Sequence, residues 1–195
     1  MRERAGAAPG RRTGDLVPGN DDDVELVDEE GRCVGVAPKL DAHRAPGRLH
    51  RAFSVFVFTT DGRVVLQRRS DGKYHFAGRW SNTCCSHQTP GESTVSAASR
   101  RLVAEMGLVC GPREVGLIRY EARDDVTGLV ERELDHVLVA TSDAAPDPDP
   151  AEVAEVRLVG VPALLADISA RPAIYTPWLA EATTVATTAW RSPPG

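Results

Sequence analysis

The chain has 195 residues and is 42% hydrophobic, which suits one globular domain with a sizeable core and excludes a disordered chain. Its formal net charge of −5, with no local concentration of Lys and Arg, argues against nucleic-acid binding but allows a small anionic substrate in a basic pocket. No apolar run is long enough to span a membrane, and four scattered cysteines without a CxxC pair indicate the reducing cytoplasm rather than a disulfide framework or a zinc ribbon.

Both ends of the chain are expected to be tails. Residues 1–22 are rich in Arg, Gly, Pro and Asp and lack the apolar segment of a signal peptide, so we predict a disordered N-terminal tail. Residues 191–195 are predicted as a short C-terminal tail. The folded domain is therefore expected to span residues 23–190.

The first part of the domain has the pattern of strands joined by turns and loops. Short apolar runs predict four strands, at residues 24–27, 32–36, 52–58 and 64–68. The last two flank Asp61-Gly62, a strong hairpin turn. Polar segments predict loops at 38–50 and 69–78, and residues 80–87 are interpreted as one further strand.

A helix is predicted to open after the turn residues Pro90 and Gly91. Apolar residues then recur at the spacing of one helical face, at Val95, Ala98, Leu102 and Met106. Gly107 is a natural C-terminal cap for this helix.

The rest of the domain alternates strands with two more helices. Strands are predicted at residues 114–122, 130–141 and 152–159, and helices at 162–169 and 176–190. The segment 144–150 is rich in Pro and Asp and is interpreted as a linker. Many strands with few helices indicate an α+β domain built on a mixed sheet.

Five residues have the side chains and the spacing of a divalent-metal site. Glu131 and Glu133 are two apart on one strand and therefore share a face, an arrangement that is costly without a cation between the carboxylates. His43, His50 and His87 add three imidazoles, and such a set suits Zn²⁺, Mn²⁺ or Mg²⁺. The alternative is that each is an ordinary surface or core residue.

Two cysteines stand side by side in the strand predicted at 80–87. Strand alternation places Cys85 on the same face as His87 and turns Cys84 away, as a small buried hydrophobe. Beside a metal-bound histidine, Cys85 would lie in an electropositive setting that favours the thiolate. The alternative is that both cysteines are core residues.

Lysine is scarce, since only Lys39 and Lys73 occur among 23 basic residues. Codon bias explains the many arginines. Where lysine persists, a compact point charge can be needed, as in phosphate binding.

The predicted helix carries part of a Nudix box, in which a glycine-led loop feeds a helix whose glutamates hold Mg²⁺ on a diphosphate. Glu92 and Glu105 stand at motif positions, but Arg101 and Ala104 replace two of its acids and Ser86 replaces its leading glycine. A Nudix hydrolase needs that carboxylate cluster to hold metals and activate water. The partial box therefore indicates a Nudix-like fold with a different reaction.

Several separated motifs together resemble the type I isopentenyl-diphosphate isomerases. They occur in the family's order, at residues 48–54 (RLHRAFS), 67–70 (QRRS), 80–87 (WSNTCCSH) and 131–136 (ERELDH). The resemblance extends over about residues 24–178. It implies a Nudix fold with a mixed sheet flanked by helices. It also implies the interconversion of isopentenyl and dimethylallyl diphosphate in isoprenoid biosynthesis, through a tertiary carbocation.

The resemblance assigns expected roles to residues at matching positions. The metal ligands are His43, His50, His87, Glu131 and Glu133. Cys85 and Glu133 are the catalytic pair, Tyr120 assists the glutamate in a looser part of the alignment, and Trp178 covers the hydrocarbon end. Glu105 serves a second ion, Mg²⁺ bound with the substrate diphosphate, which Lys39, Arg69 and Lys73 contact.

Departures from the family pattern are few. Ala77 and Gln88 stand where proline is usual, which affects loop rigidity and pocket shape. We expect a prenyl diphosphate as the small-molecule partner and a monomer, or at most a weak dimer. A Nudix hydrolase and a non-catalytic diphosphate- or metal-binding module are the rival functions.

Overall fold

The computed structural model describes residues 22–191. The tails predicted at residues 1–22 and 191–195 lie, apart from Asp22 and Arg191, outside the described residues. In the described part, none of the helices combines the length and the apolar composition needed to cross a membrane.

One nine-stranded sheet forms the centre of the domain. Its strands are β1 (Asp23–Val27), β2 (Cys33–Pro38), β3 (His50–Phe58), β4 (Arg63–Arg69), β5 (Trp80–Ser81), β6 (Cys84–Ser86), β7 (Arg113–Arg123), β8 (Val130–Thr141) and β9 (Val153–Gly160). The helices are α1 (Lys39–His43), α2 (Thr94–Met106), α3 (Val161–Ala170) and α4 (Leu179–Arg191), with a 3₁₀ turn at Pro172–Ile174. The predicted α+β class with a mixed sheet is confirmed.

Strand β3 lies at the centre of the sheet. It runs parallel to β8 along its whole length, from His50 opposite Glu133 to Phe58 opposite Thr141. Strand β6 pairs with β3 in the antiparallel sense, and β7 pairs with β8. The register between these four strands decides which side chains meet at the site.

Two apolar layers cover the two faces of the sheet. Along β3, Val55 and Val57 belong to one buried cluster and Phe56 and Phe58 to the other, as strand alternation requires. Helix α2 covers the first face, while α3 and α4 cover the second. The sheet is therefore buried on both sides, which explains why β3 is almost continuously hydrophobic.

Three sequence-based boundaries need correction. The predicted loop at 38–50 contains the short helix α1, and the terminal helix begins at Leu179 rather than at residue 176. The strand predicted at 80–87 is two short strands. Between them, Asn82 and Thr83 turn their side chains to the backbone of neighbouring strands, so that Thr83 Oγ1 accepts from Val57 N (2.9 Å) and donates to Val65 O (2.6 Å).

Helix α2 is capped at both ends, and Gly107 is the C-terminal cap that its sequence suggests. The Ser93 hydroxyl accepts from the Ser96 N–H, and Gly107 adopts a left-handed conformation with φ 64°. Of the predicted apolar face, Ala98, Leu102 and Met106 are buried, but Val95 is 42% exposed. Val95 is only the second residue of the helix, and Ala97 and Ala98 begin its buried face.

Candidate active site

Three histidines and two glutamates converge at one end of the sheet. His43 ends α1, His50 begins β3, His87 follows β6, and Glu131 and Glu133 stand on β8. One ligand atom from each of the five lies within 4.8 Å of every other. The structure thus brings together all five residues predicted as metal ligands.

Hydrogen bonds turn two of the imidazoles towards the cluster. His43 Nδ1 donates to Lys39 O (2.6 Å) and His50 Nδ1 donates to Arg48 O (2.8 Å). A carbonyl oxygen only accepts, so both Nδ1 atoms carry the hydrogen and both Nε2 lone pairs face inwards. Outer hydrogen bonds of this kind orient histidine ligands in metal sites.

The donor atoms are closely packed. His43 Nε2 lies 3.0 Å from Glu131 Oε2, and His87 Nε2 lies 2.9 Å from Glu133 Oε1. His50 Nε2 is 3.4 Å from the same Glu133 oxygen and 3.1 Å from His87 Nε2. These contacts place buried lone pairs and carboxylate oxygens around one point, as a divalent cation requires.

Neighbouring groups keep both carboxylates ionised. Burial raises the pKa of Glu131, but the charges and hydrogen bonds of His75 and His43 outweigh it and leave the pKa well below its usual range. Burial and the charge of Glu131 raise the pKa of Glu133, yet hydrogen bonds with His50 and His87 leave it lowered as well. Two buried, ionised carboxylates fit a divalent ion.

The two adjacent cysteines face opposite sides of the sheet, as predicted. Cys84 is fully buried in the apolar layer under α2, whereas Cys85 lines a cavity on the other face. Arg69 Nη1 lies 3.4 Å from Cys85 Sγ. Burial raises the pKa of Cys85 to about 11, which favours the neutral thiol among the protein groups alone, and the thiolate expected beside a metal-bound histidine stays a prediction.

Tyr120 and Trp178 form an aromatic wall beside the glutamates. Tyr120 stands directly opposite Glu133 in the β7–β8 ladder, and its hydroxyl donates to Glu133 Oε2. The Trp178 ring centroid lies 5.5 Å from that of Tyr120, and Trp178 Nε1 donates to Asn82 Oδ1 (3.1 Å), which fixes the indole.

The predicted diphosphate contacts gather at another wall of the cavity. Lys39, Arg69 and Lys73 all line it, as does the buried Glu105. Glu105 Oε1 accepts from Arg101 Nη2 (2.5 Å), while Glu105 Oε2 is buried and has no hydrogen-bond partner among the described residues. A buried carboxylate that lines a cavity next to several cationic side chains suits a metal-bound diphosphate.

All these groups share a single cavity of about 370 Å³. The predicted residues that line it are Lys39, Arg69, Lys73, Cys85, His87, Glu105, Tyr120, Glu131, Glu133 and Trp178. His43 and His50 lie behind its surface and are fully buried. The cavity therefore has one wall with Cys85 and the glutamates, an aromatic wall and a cationic wall.

Sequence reasoning missed some of the residues at this site. His75 contacts Glu131 through its ring, and Glu152 forms ion pairs with Lys73 and Arg101. No spacing marks either residue, because His75 is alone in a loop and Glu152 was predicted to open a strand. In the folded protein, the loop at 70–79 places His75 against Glu131 and Lys73 against Glu152, and this brings both residues to the site.

Comparisons with known proteins agree with this geometry. The NUDIX domain family matches residues 48–179. A protein of Nocardia farcinica named isopentenyl-diphosphate Delta-isomerase is 54% identical over 88% of this chain and 98% of its own length. Proteins of the same name from Streptomyces griseus and Halorhodospira halophila are 53% and 46% identical, over 70% and 80% of this chain and 70% and 89% of their own lengths.

Solved structures show the same fold at low sequence identity. DR0079 from Deinococcus radiodurans has a TM-score of 0.69 and 21% identity, with 83% of this chain and 97% of that chain covered. The MutT protein from Methanosarcina mazei has a TM-score of 0.53 and 19% identity, over 60% and 81% of the two chains. The predicted Nudix fold is confirmed.

The architecture, a sheet between two helix layers, and the match to the NUDIX domain family together define a Nudix-fold protein. Its helix α2, which carries the partial Nudix box, has Arg101 where the motif has an acid. The chain belongs to the isopentenyl-diphosphate Delta-isomerase family, as its motifs suggested.

Proposed function

We propose that this enzyme interconverts isopentenyl and dimethylallyl diphosphate by moving one proton on and another off a five-carbon chain, in isoprenoid biosynthesis. The observation that carries the proposal is the shared cavity. Cys85 on β6 and the Glu133–Tyr120 pair on β8 and β7 line it from two sides of strand β3, next to a cationic wall.

Glu133 acts as the proton donor to the terminal carbon of isopentenyl diphosphate. Its carboxyl group passes a proton to that carbon, and a tertiary cation develops at the branched carbon. The Tyr120 hydroxyl, which donates to Glu133 Oε2, stabilises the carboxylate left behind.

Cys85 acts as the acceptor and removes a proton from C2 as a thiolate. The turnover leaves a Cys85 thiol and a Glu133 carboxylate, the forms that burial and hydrogen bonding favour in the structure. By microscopic reversibility, that form is the one that accepts dimethylallyl diphosphate and runs the reaction backwards. Before the next forward turnover, Cys85 releases its proton to solvent and Glu133 takes one up, which restores the donor and the acceptor.

The aromatic wall protects the cation. The buried indole of Trp178 presents a π system that attracts a positive charge, an interaction worth about 2 kcal/mol when water is excluded. Exclusion of water also prevents quenching of the cation.

The cationic wall anchors the diphosphate. Lys39, Arg69 and Lys73 neutralise its charge, and Glu105 would hold a Mg²⁺ that binds together with it. Binding energy at this remote end orients the alkene between Glu133 and Cys85.

The His/Glu cluster fits one divalent ion, Mn²⁺, Zn²⁺ or Mg²⁺, held by His43, His50, His87, Glu131 and Glu133. Such an ion neutralises the two buried carboxylates and modulates the acidity of Glu133.

Further proposals concern the setting of the enzyme. We expect residues 23–190 to act as one domain between two tails, in the cytoplasm, as a monomer or weak dimer. Light scattering coupled to size-exclusion chromatography, over a range of protein concentrations, tests this oligomeric state.

The decisive experiment follows isopentenyl diphosphate with the purified protein and Mg²⁺ in D₂O by NMR. Deuterium is expected in the new methyl group of dimethylallyl diphosphate, with no release of phosphate. Released phosphate would indicate a hydrolase, and binding without turnover would indicate a non-catalytic module; either result contradicts the proposal.

A further inference from the structure

His75 is buried beside the His/Glu cluster but belongs to a loop rather than to a strand. It is 7% exposed, and its Nε2 contacts Glu131 Oε1. The other oxygen, Glu131 Oε2, lies 3.0 Å from His43 Nε2. Glu131 is therefore held from both sides, with one oxygen turned into the cluster and the other turned to the loop.

His75 Nε2 has two polar neighbours, since it contacts Glu131 Oε1 and lies 3.5 Å from Arg69 Nη2. The carboxylate is the nearer of the two and only accepts, so Nε2 carries the hydrogen and donates it to Glu131. His75 Nδ1 is buried and has no hydrogen-bond partner among residues 22–191. His136 differs, since it is similarly buried but bonds Glu114 through Nδ1 and Arg51 through Nε2, outside the cavity lining.

The backbone around His75 is fixed by two further contacts. The His75 carbonyl accepts from Arg69 Nη2 at 3.1 Å. The next residue, Phe76, has a positive φ of 45°, uncommon for a non-glycine residue, and its N–H donates to Asp124 Oδ2 (3.0 Å). Because these contacts hold the loop, the imidazole is presented to Glu131 in one orientation.

We propose that His75 is a positioning residue that holds Glu131 Oε1 and thereby keeps Glu131 Oε2 turned towards the metal position. This inference rests on the metal centre in the proposed function. Partners that orient a ligating carboxylate are worth about 10- to 100-fold in metal affinity. His75 thus sets how tightly the ion is held without being one of its five ligands.

The test measures metal affinity rather than activity. Metal-free wild-type protein and three variants, His75→Phe, His75→Gln and His136→Phe, are titrated with Mn²⁺ against a competing chelator. Thermal melting of each variant checks that it is folded. Phenylalanine keeps the ring but removes the donor, glutamine keeps an N–H donor, and His136→Phe removes an equally buried histidine elsewhere.

His75→Phe is expected to raise the dissociation constant for Mn²⁺ about 10- to 100-fold. His75→Gln should recover most of that loss, and His136→Phe should match the wild type. If His75→Phe binds as tightly as the wild type, or if His75→Gln is as weak as His75→Phe, the inference is overturned while the metal centre stands. If wild-type protein binds no Mn²⁺, the metal centre and this inference both fall, and the isomerase activity is judged separately in D₂O.

Discussion

The two ends of the cavity are built from different kinds of structure. At the end proposed for proton transfer, the side chains stand on paired strands, and backbone ladders set Glu133 opposite both His50 and Tyr120. At the cationic end, Lys73 belongs to a loop and Lys39 begins a five-residue helix, and only Arg69, the last residue of β4, stands on a strand.

The two kinds of structure suit different tasks, because strands place side chains precisely and loops let them adapt to a ligand. Strand register places a side chain within narrow limits, as proton transfer requires, because a small displacement of reacting atoms costs much of the rate. Lys73 lies in a loop that allows it to move towards a diphosphate, and in the proposed function it exchanges its ion pair with Glu152 to do so. Substitutions at the end of the cavity built from strands should therefore affect kcat, and those at the cationic end should affect KM.

The largest effect is expected for Cys85→Ala. Loss of the proton acceptor should lower kcat about 100- to 10,000-fold, whereas Cys84→Ala should keep most of the activity because Cys84 lies on the other face of the sheet. Steady-state kinetics with isopentenyl diphosphate measures both. Equal losses in two folded variants would remove Cys85 from the chemistry.

Next in size is the loss of metal in a His50→Ala/His87→Ala variant. Wild-type protein dialysed without chelator should retain about one ion per chain, and the double variant almost none, because two of the five ligands are gone. Metal analysis by mass spectrometry gives the stoichiometry. His136→Ala is the control, and an unchanged metal content in the double variant would refute the assignment.

A smaller effect is expected for Tyr120→Phe. A hydrogen bond to a charged group is worth about 1.5–3 kcal/mol, so kcat should fall about 10- to 100-fold with KM little changed. Tyr175→Phe is a matched control, because Tyr175 also donates to a carboxylate, that of Asp167 (2.6 Å), outside the cavity lining. If both variants lose kcat equally, the Tyr120–Glu133 contact has no special role.

The contrast between strands and loops also explains which features of the site the sequence could predict. Alternation along a strand needs no knowledge of distant residues, so the opposite faces of Cys84 and Cys85 and the shared face of Glu131 and Glu133 were predicted correctly. The strands themselves were also placed within a few residues, apart from the break at Asn82.

Contacts made through loops could not be predicted in this way. Lys73 and Glu152 are 79 residues apart and His75 meets Glu131 across 56, pairings that only the folded chain creates. The protonation of Cys85 is hard to predict for a related reason, because burial raises its pKa and depends on packing from several elements. The thiolate expected beside a metal-bound histidine stays a prediction.

The smallest effects are expected at the cationic end of the cavity, for Lys39→Ala and Lys73→Ala. Charge on the diphosphate is the same in the ground state and the transition state, since the reaction moves charge only on the hydrocarbon. Both variants should therefore raise KM more than they lower kcat. Steady-state kinetics over a range of substrate concentrations separates the two constants.

The structure also ranks the two lysines. In the proposed function, Lys73 gives up the Glu152 carboxylate to bind substrate, whereas Lys39 Nζ lies 5.5 Å over the Tyr74 ring, a weaker contact to lose. Lys39→Ala should therefore raise KM more than Lys73→Ala, with Lys73→Arg as a control that keeps the charge but changes its shape. Some loss of kcat is expected in both, because looser anchoring misplaces the alkene. A wild-type KM with kcat reduced more than about 100-fold, or about 2.7 kcal/mol, would instead place that lysine in the chemical step.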